Sequence, residues 1–382
     1  MTRDGKPSQR PCIIPIFVPH IGCPHQCVFC NQTSITGSTP SISSGSITEV
    51  INEISEKVAL RYSQRFSPVF QGSPNDQLRA QRGNLRRREI AFYGGSFTGI
   101  EKKVQIQLLL AVQPLIQGGL IDTVRVSTRP DYIDPQTLQL LRKHGVKTVE
   151  LGVQSMVEEV LRCSKRGHTA DDVLKAVELL HGHGFEVGTQ IMVGLPGDDA
   201  QGYARTVDRV IRLNPHFVRI YPTLVLKGTP LEKWYRSGRY TPLSLKEAVD
   251  LCKMAFLKFQ RAGIPVIRLG LQSSPELEMG DSVVAGPYHP AFGHLVESSL
   301  FYDMASCLME KSRQSRIPRA RVSPSDLSNI RGQKNQNLYQ LKYRFGLRDV
   351  QIEVDEEQPR GSLILINGTK LDEISYRTLP LS

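Results

Sequence analysis

The apolar residues of this chain fall into two alternating rhythms. Short apolar runs, bounded by Gly, Pro, Asn or Asp, read as buried strands at 13–18, 89–93, 123–127, 148–152, 186–192, 217–221 and 266–269. Between them the spacing turns helical, predicting helices over 47–62, 102–116, 134–144, 170–183, 199–213 and 243–262. In the first, Val50, Ile51, Ile54, Val58 and Ala59 share a face; in the second, Val104, Leu108, Leu109 and Val112 do. Strand-then-helix alternation through short Gly- or Pro-bearing turns predicts βαβ units around a parallel sheet. Six or seven such units in about 260 residues suit an α/β fold built as a full or partial β/α barrel, better than an open doubly wound sheet.

Beyond Val283 the pattern weakens. A helix is expected over 295–311 and another over 337–345, with strands at 350–354 and 363–366, which together make a small C-terminal α+β appendage. The stretch from the end of the first of these helices to about Ser325 is basic and Ser/Pro-containing, and residues 63–87 are rich in Gln, Arg, Pro, Gly and Asn without periodicity. The expected organisation is a flexible leader over 1–11, a core barrel over 12–275 carrying a basic inserted loop at 63–87, and a C-terminal extension over 276–382. No internal repeat and no coiled-coil heptad is evident.

Composition adds charge to this picture. The 382 residues are 40% hydrophobic and 22% charged, an ordinary globular mixture, with no apolar run long enough for a membrane span. The start of the chain is polar and lacks a secretory core, so a cytoplasmic location and no membrane partner are expected. The net charge of +11 and a pI near 9.3 favour a polyanionic partner without identifying one. Basic residues concentrate around Arg79–Arg88 and again between Lys311 and Arg344; a solvated face is the competing reading of both groups.

Seven cysteines are too few and too scattered for a disulfide framework. Three of them, Cys23, Cys27 and Cys30, fall at spacing C-x3-C-x2-C just after the first strand, in a loop kinked by Gly22 and Pro24. Iron–sulfur clusters held wholly by protein usually take four thiolates, so a cubane on three would leave one iron open for chemistry. Two other readings stand beside this one: three buried thiols on a helix face, which Gly22 and Pro24 oppose, and a structural zinc site with His20 or His25 as fourth ligand.

The triad with Phe29 before its last cysteine resembles the cluster motif of the radical S-adenosylmethionine superfamily. That resemblance implies a 4Fe–4S cluster on Cys23, Cys27 and Cys30, with S-adenosylmethionine chelating the open iron. It also implies one-electron cleavage to a 5′-deoxyadenosyl radical, fed by a low-potential electron donor. Gly94-Gly95-Ser96, after the second strand, is similar to the family's Gly-Gly-Glu motif for the methionine amino group, with Ser96 where Glu is commonest. Leu151-Gly152-Val153-Gln154-Ser155 with Arg166-Gly167-His168 resembles oxygen-independent coproporphyrinogen oxidases, which implies a ribose contact for Gln154 and a carboxylate contact for Arg166. In the same family Gln190 matches a second ribose contact, and Gly194 with Pro196 would edge the adenine.

A closer resemblance covers roughly residues 12–275. Ser127-Thr128-Arg129-Pro130-Asp131-Tyr132, Glu150–Ser155, Arg219–Val225 and Gly228–Tyr240 are together similar to the radical domain of the Elongator catalytic subunit, which modifies the wobble uridine of tRNA. No acetyltransferase-like pattern follows Val283, and the cysteine spacing is shorter than in eukaryotic members. Three readings follow: a radical enzyme acting on tRNA or another RNA, a radical enzyme acting on a small anionic metabolite or tetrapyrrole, and a non-enzymatic iron–sulfur or zinc protein. Arg129 with Asp131 is either a structural ion pair or part of the site lining, while Tyr221 and His289 read as a core tyrosine and a satisfied loop histidine.

Overall fold

The structure is a computed structural model that describes residues 11–18, 27–30, 44–63, 86–271, 282–311, 316–367 and 370–380. Cys23, His20, His25, nearly all of the expected leader and most of the 63–87 insert lie outside the described residues. Strands β1 (Cys12–Phe17), β2 (Arg88–Tyr93), β3 (Thr123–Thr128), β4 (Val146–Gln154), β5 (Glu186–Val193) and β6 (Phe217–Pro222) follow one another in chain order. After a two-residue β7 (Val225–Leu226), β8 (Val266–Leu269) completes a seven-stranded sheet of order β1-β2-β3-β4-β5-β6-β8. That order, with helices in the crossovers, is a partial β/α barrel.

The chain clusters into two compact units, one of residues 1–154 and 161–190, the other of 155–160 and 191–382. The first holds α1 (Ser44–Ser63), α2 (Lys102–Gln117), α3 (Pro135–Lys143) and, after the short α4 (Glu158–Cys163), α5 (Ala170–Gly182). Its parallel register lines up apolar rows: Ile14 with Ile90 and Val124, and Ile16 with Phe92, Val126 and Val149. All of these are buried, as are Val50, Ile54 and Val58 on α1 and Leu108, Leu109 and Val112 on α2. Sequence spacing therefore named the core face of α2, and that of α1 except that Ile51 is half-buried and Ala59, at the edge of the stripe, is exposed. Asp134 accepts from Thr137 N to start α3, and a Thr169–Asp172 capping box starts α5.

The opposite face of the same strands is polar. Period-two alternation puts Glu89, Ala91 and Tyr93 of β2, Arg125 and Ser127 of β3, and Glu150, Gly152 and Gln154 of β4 on it. The fully buried Arg125 bridges two strands, donating from Nε to Glu89 Oε2 at 2.7 Å and from Nη1 to Glu150 Oε1 at 2.6 Å. Next to it Arg87 holds both oxygens of Glu186 at 2.6 Å. Burial alone would push the Glu186 carboxyl up; Arg87, Lys147 and Thr148 instead hold it down at about 2.

The second unit carries α6 (Ala200–Arg212), α7 (Pro230–Arg236), α8 (Leu245–Arg261), β9 (Val283–Ala285) antiparallel to β7, and α9 (Phe292–Lys311). Beyond these lie β10 (Arg319–Val322), α10 (Leu327–Arg331), α11 (Gln336–Phe345), β11 (Gln351–Val354), β12 (Ser362–Asn367) and β13 (Lys370–Ser375). The last four strands form a sheet of order β11-β10-β12-β13. Tyr376 meets Phe256 of α8 edge-on at 5.0 Å and Phe301 of α9 at 5.8 Å, tying the end of the chain to these helices.

Several elements depart from the sequence reading. β10 lies within the basic, Ser/Pro-containing stretch to which no element was assigned, because Ala320 and Val322 are buried while Arg319 and Arg321 turn outward onto Glu353 of β11. β13, the β7–β9 ribbon and the helices α4, α7 and α10 were not anticipated. Each is short, and α7 is started by Thr229 accepting from Glu232 N rather than by an apolar stripe.

Candidate functional site

The C-terminal ends of β1–β4 in the first unit bring a set of polar groups together. Leaving β1, Val18 N bonds to Tyr93 O at 2.8 Å, so the chain end of β1 stays beside the end of β2. There Gly94 adopts φ +93°, and a Cβ on it would stand 2.5 Å from Val18 O. Only glycine fits that approach. Gly95 is also left-handed, at φ +54°. Ser96 is buried, with its Oγ 2.8 Å from Thr128 Oγ1 and accepting from Arg129 N at 3.3 Å, so its hydroxyl is used to join the ends of β2 and β3.

Cys27 and Cys30 sit in one tight turn, Cys30 N donating to Cys27 O at 3.0 Å, and Val28 N donates to Ser164 O at 3.2 Å. The turn is thereby fastened beside Arg166, whose Nη1 donates to the buried Cys27 Sγ at 3.3 Å. The Nη2 of the same guanidinium donates to Gly152 O at 2.7 Å, at the end of β4. Its Nε is buried and has no hydrogen-bond partner among the described residues. A cation so placed, beside a thiol and with a donor unspent, suits a carboxylate ligand.

Gln154 closes β4 in a left-handed conformation, φ +66°, which costs a residue with a side chain on the order of 1–2 kcal/mol. Its Oε1 accepts from Gln190 Nε2 of β5 at 3.1 Å. Gly152 lies directly beneath: a Cβ there would be 3.0 Å from Gln154 Nε2 and 3.3 Å from Arg166 Nη2. The buried His168 stands behind, its Nε2 3.2 Å from Val153 O. Burial, with Arg166 and Arg129 nearby, pushes its pKa down to about 3, so it is neutral and donates from Nε2. His168 thus holds the peptide next to the strained Gln154.

The residues singled out in the sequence are distributed as follows. Gly94, Gly95, Ser96, Gln154, Arg166, Gln190, Cys27 and Cys30 all belong to the first unit; Gly194 belongs to the second, following β5 at φ +79°. Tyr240 OH donates to Gly194 O at 2.7 Å, and a Cβ on Gly194 would strike Leu243 at 2.8 Å. Arg129 is buried and bidentate to Asp131, both bonds 2.9 Å. Tyr221 OH accepts from Arg219 at 3.3 Å, and His289 Nδ1 accepts from Ala291 N at 3.0 Å.

What the sequence reading passed over is the layer beneath. Glu150-x-Gly152-x-Gln154 and Glu186-x-Gly188-x-Gln190 are the same pattern on neighbouring strands. Each puts an arginine-held carboxylate, a glycine and an amide at successive positions along one face of its strand. That repeat was the available signal, since period-two polar positions in an otherwise apolar parallel strand are unusual.

Two family models match the chain: residues 17–210 match the Radical SAM superfamily and residues 215–301 the Radical SAM C-terminal domain. The chain therefore belongs to the radical SAM superfamily, whose members use a 4Fe–4S cluster and S-adenosylmethionine, and it is a radical SAM enzyme. It is 28% identical over 257 residues to a tRNA uridine(34) acetyltransferase of Methanocaldococcus jannaschii, covering 61% of this chain and 46% of that protein. To Elongator complex protein 3 of Mus musculus it is 27% identical over 211 residues, 49% of this chain and 38% of that one. The archaeal Elp3 of Methanocaldococcus infernus, solved with an N-terminal deletion, shares the fold at TM-score 0.54 and 22% identity, covering 76% of this chain and 63% of that one. The chain spans about half the length of the tRNA uridine(34) acetyltransferases it matches. Among the described residues no helix is long and apolar enough to cross a membrane.

Proposed function

We propose that this chain is a radical enzyme acting on RNA, with tRNA as the substrate class. Residues 12–275 would form the radical core and 276–382 an appendage. Cys23, Cys27 and Cys30 would hold the cluster. Arg166 would take the S-adenosylmethionine carboxylate, and the Gly94-Gly95-Ser96 turn its amino group. Gln154 and Gln190 would meet the ribose hydroxyls, with Gly194 along the adenine. The bound cluster and cofactor supply one-electron sulfonium cleavage and hydrogen abstraction. The electron comes from a low-potential donor, in the cytoplasm.

The observation that carries this reading is the placement of Arg166. One guanidinium reaches a thiol of the cysteine motif and the end of β4, keeps Nε unspent, and stands against the Gln154–Gln190 pair. The chain's own residues would then orient the cofactor: Arg166 by charge, the two glutamines by paired amides, Gly152 by leaving room. The RNA part rests on the basic charge and on the names of the relatives. Its test is anaerobic: reconstituted protein with dithionite and S-adenosylmethionine, 5′-deoxyadenosine measured with and without bulk tRNA and after ribonuclease treatment. Stimulation by tRNA that ribonuclease abolishes is expected. Deoxyadenosine formation indifferent to RNA would turn the substrate toward small anionic molecules.

A further inference from the structure

Helix α11 has one side in the core of its unit and one in water. Asn337 and Leu341 face inward, Asn337 Nδ2 donating to Ser298 O at 2.8 Å and to Asn329 O at 3.0 Å. On the outer side Tyr339 is 62% and Tyr343 93% exposed. Spaced i and i+4, the two rings are neighbours on one face. Large aromatic rings left this bare forgo the burial that aromatics usually supply.

The charge around them is mostly positive, with Lys342 also pairing with Asp349 at 3.6 Å and Arg344 with Glu310 at 2.5 Å. Lys342 Nζ lies 5.2 Å over the Tyr339 ring. Arg331 and Lys334, just ahead of the helix, are exposed and make no ion pair among the described residues. Residues 316–349 carry eight Lys or Arg against two Asp or Glu, whereas 350–380 carry three against six. Positive charge is thus in excess on the segment that bears the tyrosines, although Arg319 and Arg321 are held by Glu353, Lys342 by Asp349 and Arg344 by Glu310.

We infer that this face of α11 docks a single-stranded stretch of RNA, with unpaired bases stacked on Tyr339 and Tyr343 and phosphates against Lys334, Lys342 and Arg331. Exposed rings beside cations are the platform that single-stranded nucleic acid requires, since every base offers a stacking face. A duplex would be met through phosphates and 2′-hydroxyls, without need of exposed rings. Exposed tyrosines alone would also suit a protein partner; the surplus of cations beside them is what favours a polyanion. The inference rests on the RNA reading above and adds to it a docking surface within the appendage, outside the 17–301 span of the family models.

The test uses the full chain and fluorescence anisotropy with a labelled single-stranded RNA oligonucleotide and with bulk tRNA, over a range of salt. Tyr339→Ala/Tyr343→Ala should bind at least about tenfold more weakly, with its salt dependence unchanged, because stacking is lost while the cations remain. Tyr343→Phe should bind as wild type. Lys334→Gln/Lys342→Gln should flatten the salt slope instead. Both tyrosines are exposed, so the thermal midpoint of the double tyrosine variant should stay at the wild-type value. Wild-type affinity in the double tyrosine variant, with wild type itself binding tRNA, would overturn the docking surface and leave the RNA reading standing. No binding by wild type would overturn both. A change in sedimentation without a change in affinity would assign the face to self-association and overturn the inference.

Discussion

A single methyl group at Gly152 probes the site without touching any group that does chemistry. In Gly152→Ala the new Cβ would stand 3.0 Å from Gln154 Nε2 and 3.3 Å from Arg166 Nη2, too close by a few tenths of an ångström to both. Gly152 has no left-handed φ, so its backbone accepts alanine without strain. The conflict is therefore confined to the two side chains, and its effect falls on the 2.7 Å bond from Arg166 to Gly152 O and the 3.1 Å bond from Gln190 to Gln154. If Arg166 is displaced from a cofactor carboxylate, the loss is that of one charge-assisted hydrogen bond, about 1.5–3 kcal/mol. That corresponds to a roughly 10- to 150-fold weaker S-adenosylmethionine affinity. Equilibrium dialysis of the anaerobically reconstituted variant measures it, and urea unfolding gives the stability, expected within about 1 kcal/mol of wild type. Affinity within twofold of wild type at unchanged stability would refute the placement of Arg166 and Gln154 against the cofactor.

Other consequences follow from the polar face of the sheet. Arg125→Leu removes the cation shared by the buried Glu89 and Glu150, leaving Glu89 with Arg87 and Glu150 with the Tyr93 hydroxyl, and should cost about 3 kcal/mol in urea unfolding, with most of it recovered when all three charges are removed together; a loss under about 1 kcal/mol would contradict the ion-pair account. His168 and Glu186 are both lowered in the folded state, to about 3 and about 2 from ordinary values of 6.5 and 4.5. Their contributions are therefore complete above the ordinary values and lost as pH falls, first the His168 share below about 6.5, then the Glu186 share between about 4.5 and 2. Glu186→Gln should flatten the acid limb of the urea midpoint below pH 4.5, and an unchanged limb would assign it elsewhere. Tyr240→Phe removes the bond to Gly194 O and should cost about 1 kcal/mol while weakening S-adenosylmethionine binding; a cost in stability with no change in affinity would remove Gly194 from the site.

The barrel was legible because its signal is redundant. Each strand is an apolar run and each helix a stripe, so the strands could be read as buried from the sequence, while the row of Ile14, Ile90 and Val124 came only with the register. The roles proposed for Gln154 and Arg166 depend on chemistry rather than burial and come only from motif order. The strain at Gln154, the tie from Arg166 to Cys27 and the backing of Val153 by His168 were not legible, because each joins residues distant in the chain. β10 escaped because two outward arginines outweighed the alternation of Ala320 and Val322. The Glu-x-Gly-x-Gln repeat was readable but looked like ordinary strand variation until Arg87 and Arg125 were seen to hold its carboxylates.

The most direct test of the central claim is quantification of 5′-deoxyadenosine from anaerobically reconstituted wild type and Cys27→Ala, with dithionite and S-adenosylmethionine. The account predicts deoxyadenosine from wild type, and none from Cys27→Ala, which should lose the cluster's visible absorbance while keeping the far-ultraviolet circular dichroism of the folded barrel. A cluster of full intensity in Cys27→Ala, or no deoxyadenosine from a wild type carrying its full complement of iron and sulfide, would contradict it.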